Sequence, residues 1–270
     1  MSNAEDSPDE HAVTPHDGGR ATLHQIHETV RQEGDHELQR SSSALAWSGL
    51  AAGLAMGFSL IAEGLLHHAL PKQSWSGAVS NFGYSLGFVI VILGRQQLFT
   101  ENTITVVIPF LHNKSWQRFV NLARVWGIVL TTNLIGGLAI ALCLAHTSLF
   151  DPPVRESFLK IGKQALAPAA GTVLLRGVMA GWLIALLVWL LPAAQSARLW
   201  VIMLIAYVVG LAHLAHVIAG SVEVFYVAAA GERGWGEVLL GYVAPALAGN
   251  IVGGVVLAAL INHGQFHANR

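Results

Sequence analysis

The sequence predicts an all-α integral membrane protein with six transmembrane helices in a 3+3 inverted repeat, the second and fifth broken in mid-span. Three observations predict it. Of 270 residues, 53% are hydrophobic and 11% charged, where soluble domains carry about 25% charged residues; mean hydropathy is +0.53. The charge is segregated: the first 40 residues are polar and rich in Asp, Glu and His, and the rest is mostly apolar runs. Finally, two segments echo each other, NLIGGLAIALCLA at Asn133–Ala145 and NIVGGVVLAALIN at Asn250–Asn262.

The elements follow in order. Residues 1–40 form a polar tail, disordered over roughly 1–20 and a short helix around Thr22–Arg40. The tail lacks the basic start, apolar core and small-residue cleavage site of a secretory signal. Residues 41–264 form the membrane domain, and 265–270 a C-terminal tail. A spanning helix needs about 20 apolar residues. Ser43–Leu70, Val125–Ala145, Gly177–Ala194 and Val238–Ile261 qualify directly. Two others are interrupted. Val79–Leu93 meets the polar run GRQQLFTEN before Ile104–Leu111, and Leu199–Leu211 meets AHLAHVIAGS before Val222–Ala230.

The interrupted spans hold the same place in each half, and the Asn-x-x-Gly-Gly echo falls in spans three and six, each opened by a Trp (Trp116, Trp235). An odd number of helices per half inverts the halves in the membrane. With the tail cytoplasmic, that side carries Arg20, Arg31, Arg40, Lys114, Arg118, Arg124, Arg198 and Arg270, against Lys72, Arg155, Lys160, Lys163 and Arg233 opposite. The excess places both termini in the cytoplasm. Net charge −1 argues against a nucleic-acid partner. The lone Cys143 allows no intrachain disulfide.

Irregular backbone at mid-membrane persists only where protein covers it or it lines a wet cavity. The two breaks therefore mark a path. Half-helices starting near Asn102 and Gly220 point their positive ends at it, which favours an anion.

LGFVIVILGRQQLFTENTITVV, HVIAGSVEVFYV and the paired Asn-x-x-Gly-Gly elements resemble the formate/nitrite transporter family over residues 40–262. The resemblance implies an aquaporin-like protomer, a homopentamer in the bacterial inner membrane, and a pore in each protomer for small monovalent anions or weak acids such as formate, nitrite or acetate, with no cofactor and no enzymatic activity. Carried over, Thr100 and His216 face each other between apolar constrictions. Leu98 and its neighbour Phe99 lie at a constriction, Tyr84 and Phe88 fall where other members place Phe and Leu, and Val209 stands where an aromatic closes the inner constriction. His216, with an unperturbed imidazole pKa near 6.5, can give a proton or a strong hydrogen bond to the anion, making transport proton-linked. The Thr100 hydroxyl can orient the anion or cap the half-helix at Asn102.

Several residues depart from the family pattern: Arg95, Gln96 and Gln97 before the Leu-Phe-Thr, Glu101 after it, Gly220 and Ser221 after Ala219, and Glu223 two turns beyond His216. Buried charges pair, so Arg95 is expected to neutralise Glu101 or Glu223, with Arg124 and Arg176 balancing the remaining carboxylates, Glu63 among them. Asn133 and Asn250 are expected to hydrogen-bond the broken backbones, with the Gly-Gly pairs allowing close packing. His213 reads as packing, and His11, His16, His24, His27 and His36 as a solvated tail without metal spacing. Two other functions compete: a pore for small neutral solutes, and a membrane-embedded metal enzyme using His213, His216 and Glu223, for which no complete ligand set is evident.

Overall fold

Backbone amides in lipid must be satisfied within the chain, and the computed structural model meets that demand with helices. It describes residues 21–268, among which no strand occurs. The stretch 1–20, expected to be disordered, lies outside the described residues together with 269–270.

Helix α1 (Leu23–Gln39) opens with a capping box: Thr22 Oγ1 accepts from the Gln25 amide at 3.2 Å, and Gln25 Oε1 accepts from the Thr22 amide at 2.8 Å. Its buried face is His27, Val30, Gly34 and Leu38, the three-to-four spacing of one helical stripe. The expectation of a solvated tail is therefore corrected for His27. Its ring stacks on Phe266 at 3.8 Å and meets His263 at 3.1 Å between ring nitrogens. Four buried positions in a mostly polar helix are too few for composition to betray the docking. Arg124 fixes the helix end by donating to the carbonyls of Leu38 at 2.9 Å and Arg40 at 3.0 Å; it serves as a clamp, not as the carboxylate partner expected.

Among the described residues five stretches are long and apolar enough to cross a membrane: Ser42–Ala69, Ser76–Leu93, Trp116–His146, Ala170–Leu211 and Trp235–Phe266, with Val217–Ala229 a shorter apolar helix. In chain order the helices after α1 are α2 (Ser42–Ala69), the short α3 (Ser76–Ser80), α4 (Ser85–Leu93), α5 (Phe99–Thr105), α6 (Val107–His112) and α7 (Trp116–His146). After α8 (Pro152–Leu166) come α9 (Ala170–Ala194), α10 (Arg198–Leu211) and α11 (Val217–Ala229). The last helix runs through α12 (Trp235–Val238), α13 (Ala244–Ile251) and α14 (Ile261–Ala268), joined by the π-helical stretches Leu239–Val243 and Val252–Leu260. Pro245 lacks an amide hydrogen, so the turn before it must find another bonding pattern. This helix continues past the boundary expected at 264.

Two close helix pairs hold the domain. On α2, Gly53 packs against the Asn133 carbonyl of α7, and Gly136 of α7 packs back against the Leu50 carbonyl. On α9, Gly181 meets the backbone of Asn250, and Gly253 meets the Val178 carbonyl. Small residues let backbones approach where no hydrophobic force separates helix from lipid.

Helix α8 was not anticipated. Asp151 followed by Pro152 and Pro153 starts it. Its buried stripe of Val154, Ser157, Phe158, Ile161 and Gly162 lies against α2 and α11. It closes the face of the molecule opposite α1.

Candidate functional site

The two breaks have matching geometry. Helix α4 stops at Leu93 and the chain turns at Arg95 with φ 51°. Helix α10 stops at Leu211 and the chain turns at His213 with φ 50°. Left-handed backbone costs a non-glycine residue about 1–2 kcal/mol, so its appearance at matched places is a constraint of the turn. Each turn closes the same way: the Gln96 amide donates to the Val91 carbonyl at 2.9 Å, and the Leu214 amide to the Val209 carbonyl at 3.0 Å.

An asparagine brackets each turn. Asn133 Oδ1 accepts from the Phe99 amide at 2.9 Å, while its Nδ2 donates to the carbonyls of Gln97 at 2.9 Å and Gly49 at 2.7 Å. Asn250 Oδ1 accepts from the Val217 amide at 2.8 Å, and its Nδ2 donates to the carbonyls of Ala215 at 2.8 Å and Gly177 at 2.9 Å. Both asparagines are fully buried. One side chain thus satisfies an amide and two carbonyls that lipid could not.

The half-helices begin earlier than expected, at Phe99 rather than Asn102 and at Val217 rather than Gly220. The bracketed backbone, not a polar or small residue, sets the start. Thr100 therefore lies inside the first turn and does not cap it. Asn102 donates to Gln97 Oε1 at 3.0 Å, and its carbonyl accepts from Trp126 Nε1 at 3.1 Å.

Thr100 and His216 meet between the breaks. Thr100 Oγ1 lies 2.7 Å from His216 Nε2, and both residues are fully buried. His216 Nδ1 accepts from the Ala219 amide at 3.1 Å, so the ring also caps its own helix. Because Nδ1 is an acceptor, the neutral ring carries its hydrogen on Nε2 and donates to Thr100. The Thr100 hydroxyl hydrogen is left free of this contact and can be donated elsewhere. Phe88 presents its ring to His216 at 4.9 Å and 72°. Leu98, two residues before Thr100, is fully buried. Phe99, expected in the pore, packs edge-on against Trp126 at 5.6 Å.

A cavity lies on either side of this centre. The one on the α1 side has about 710 Å³ and is lined by Arg95, Gln97, Glu101 and Asn102, and by Glu33 and Glu37 of α1. The one on the α8 side has about 50 Å³ and is lined by Glu63, Tyr84, Arg176, Val209, Glu223 and Tyr242. Val209, expected at the inner constriction, lines the α8-side cavity with Tyr84. Helix α10 enters the membrane at Arg198 on the α1 side, and Val209 lies three turns on.

The expected Arg95, Glu101 and Glu223 network does not assemble. Glu101 and Arg95 line one cavity and Glu223 the other, and among the described residues no ion pair joins any of the three. The reason is the turn: its left-handed residue carries Arg95 outward to an exposed position. His213 is likewise exposed and contacts Gln164 Nε2 at 3.0 Å. Among the described residues no three His, Cys, Asp or Glu side chains gather as a metal site. Sequence reasoning missed Tyr242 altogether; a methyl group at Gly220 would land on its hydroxyl, so the unexpected glycine after Ala219 was the available signal.

A match to the family described as Formate/nitrite transporter covers residues 24–264. The relative "Inner membrane protein YfdC" of Escherichia coli (strain K12) is 40% identical over 240 residues, 89% of this chain and 77% of its own length. The chain belongs to the formate/nitrite transporter family. Two solved structures share its fold. "Pentameric formate channel with formate bound" superposes with a TM-score of 0.72 at 19% identity, over 84% of this chain and all of the other. "FNT family ion channel" gives 0.73 at 17% identity, over 91% and 98%. This transporter keeps that fold while placing two carboxylates beside its α8-side cavity.

Proposed function

We propose that this transporter moves small monovalent anions or weak acids, of the formate, nitrite or acetate kind, together with a proton, through a pore in each protomer of a homopentamer. The observation that carries this reading is the Thr100–His216 pair, fully buried between two cavities, with the Phe88 ring against His216. A bare anion in an apolar passage is costly. At the centre the substrate meets the free Thr100 hydroxyl, backed by His216 Nε2–H. The positive end of α11, a 13-residue helix, faces the same point.

The matched turns and the two asparagine brackets support six spans in a 3+3 inverted repeat, the second and fifth broken, in an aquaporin-like protomer. The likeness to a pentameric channel with formate bound supports five-fold assembly and a formate-like substrate. The name of the E. coli relative supports a bacterial inner membrane. The basic excess on the α1 side supports cytoplasmic termini.

A second reading, a pore for small neutral solutes, is favoured by one observation: carboxylates line both mouths, Glu101 on one side and Glu63 with Glu223 on the other. Flux of formate, nitrite, acetate and glycerol into proteoliposomes separates the readings. Anion flux that rises at low pH supports the first. Glycerol flux without anion flux overturns it.

A further inference from the structure

The Thr100–His216 pair offers hydrogen bonds but no spare proton. The neutral ring has one hydrogen, committed to Thr100, and a second at Nδ1 would have to displace the Ala219 amide. A proton that travels with the substrate must then be held elsewhere, and the α8-side chamber has the groups to hold it. Glu63 from α2 and Glu223 from α11 both line it, and they are 8% and 7% exposed. No hydrogen bond and no ion pair reaches either carboxylate from another described group. Tyr84 and Tyr242, each 4% exposed, line the same chamber, and their hydroxyls have no hydrogen-bond partner among the described residues. Four buried polar side chains thus converge on about 50 Å³ with their bonding capacity unused.

The remaining groups facing the chamber are Arg176 of α9 and His213, with Asn81 and Gln164. Arg176 is half-buried and, among the described residues, forms no ion pair. Two carboxylates confined together cannot both be ionised without strong repulsion. One proton shared between them, with the Arg176 charge, leaves the chamber electrically neutral.

We propose that Glu63 and Glu223 are the proton-holding site of the α8-side mouth and protonate the weak-acid anion as it enters. The anion is drawn by Arg176 and takes the shared proton on a carboxylate or nitrite oxygen. The O–H bond to glutamate breaks as the O–H bond to the substrate forms. The neutral acid passes Tyr84 and Val209, and the pair recovers a proton from bulk water. The site is distinct from the central histidine, and its transport role rests on the reading above.

The test uses the full chain in lipid vesicles. Infrared difference spectra of wild type against Glu63→Gln, Glu223→Gln and the double variant read the carbonyl stretch of a protonated carboxyl at pH 7. The proposal expects a band equivalent to one carboxyl, lost in the double variant; Glu101 is common to all samples and cancels. In parallel, initial formate uptake is measured against external pH. Without the pair, uptake draws only on acid protonated in bulk, which falls about tenfold per pH unit above its pKa; the double variant should follow that slope while wild type falls less steeply. No lost band overturns the proton site, whatever the protein carries. A lost band with identical slopes overturns the hand-off. A wild type that carries no anion refutes the transport reading and the hand-off with it, while the band still decides whether the pair holds a proton. Each single variant gives the same readout should the double variant fail to assemble.

Discussion

Replacing Asn250 tests whether the asparagine brackets hold the breaks open. Asn250→Ala removes three buried hydrogen bonds, from the Val217 amide and to the carbonyls of Ala215 and Gly177. Side-chain hydrogen bonds inside membrane proteins average about 0.6 kcal/mol, which gives about 2 kcal/mol for three. The Val217 amide is then left buried without a partner, at a further cost of about 1–3 kcal/mol. The sum, about 3–5 kcal/mol, is a large share of any domain's stability. Asn250→Asp discriminates mechanism from volume. It keeps the shape and the acceptor for Val217 but sets a carboxylate oxygen against two carbonyls, so it should be at least as destabilising as alanine. Asn133→Ala should match Asn250→Ala, since its three bonds are of the same kind and length. The assay is reversible unfolding of the purified protein in mixed micelles, followed by near-ultraviolet circular dichroism. An alanine variant within about 1 kcal/mol of wild type, or an aspartate milder than the alanine, would refute the reasoning.

Other outcomes follow from the same geometry. Gly34→Ala places a methyl group against the Thr105 carbonyl and Pro109, so α1 should undock and become cleavable by protease while the spans stay protected. Arg95→Gly should leave stability unchanged or raise it by about 1 kcal/mol, because glycine adopts φ 51° without penalty, and Arg95→Val should lower it; thermal unfolding of the two variants checks the sign. Gly220→Ala collides with the Tyr242 hydroxyl, and pairing it with Tyr242→Phe should restore part of the lost stability. Arg31 beside Glu28, with ion contacts of 2.6 and 2.7 Å along α1, holds the Glu28 carboxyl down to about 2. A depressed carboxyl stabilises the fold above its unfolded value of 4.5 and loses that contribution only as pH falls toward 2. Protease resistance of α1 should therefore be flat from pH 5 to 8, and Glu28→Gln should cost less than about 1 kcal/mol, as exposed pairs do.

The frame of the fold was legible because lipid imposes few solutions. Apolar length located α2 to within a residue at either end, while α7 and α9 begin nine and seven residues before the apolar runs expected, and the repeated Asn-x-x-Gly-Gly located the two brackets. The centre was legible too, in Thr100 and His216, because both sit at interruptions that a spanning helix does not otherwise tolerate. What failed was side-chain direction. Arg95, Glu101 and Glu223 read as one network, yet a single left-handed residue turns Arg95 outward, and the two glutamates end on opposite sides of the centre. Phe99 was assigned to the passage by its place in the Leu-Phe-Thr run, but one position on a helix is a turn of about 100°, enough to aim it at Trp126. Helix α8 and the docking of α1 were hidden because amphipathic stripes in short polar segments leave little trace in composition.

The central claim is that the substrate, a small monovalent anion or its acid, crosses at the Thr100–His216 contact. The most direct measurement is formate flux into proteoliposomes at pH 5.5 and 7.5, with glycerol as the neutral control, for wild type and His216→Asn. The account predicts formate flux in wild type, faster at pH 5.5, and its loss in the variant at both pH values with glycerol unaffected. Equal formate flux in the two proteins, or glycerol passing where formate does not, would contradict it.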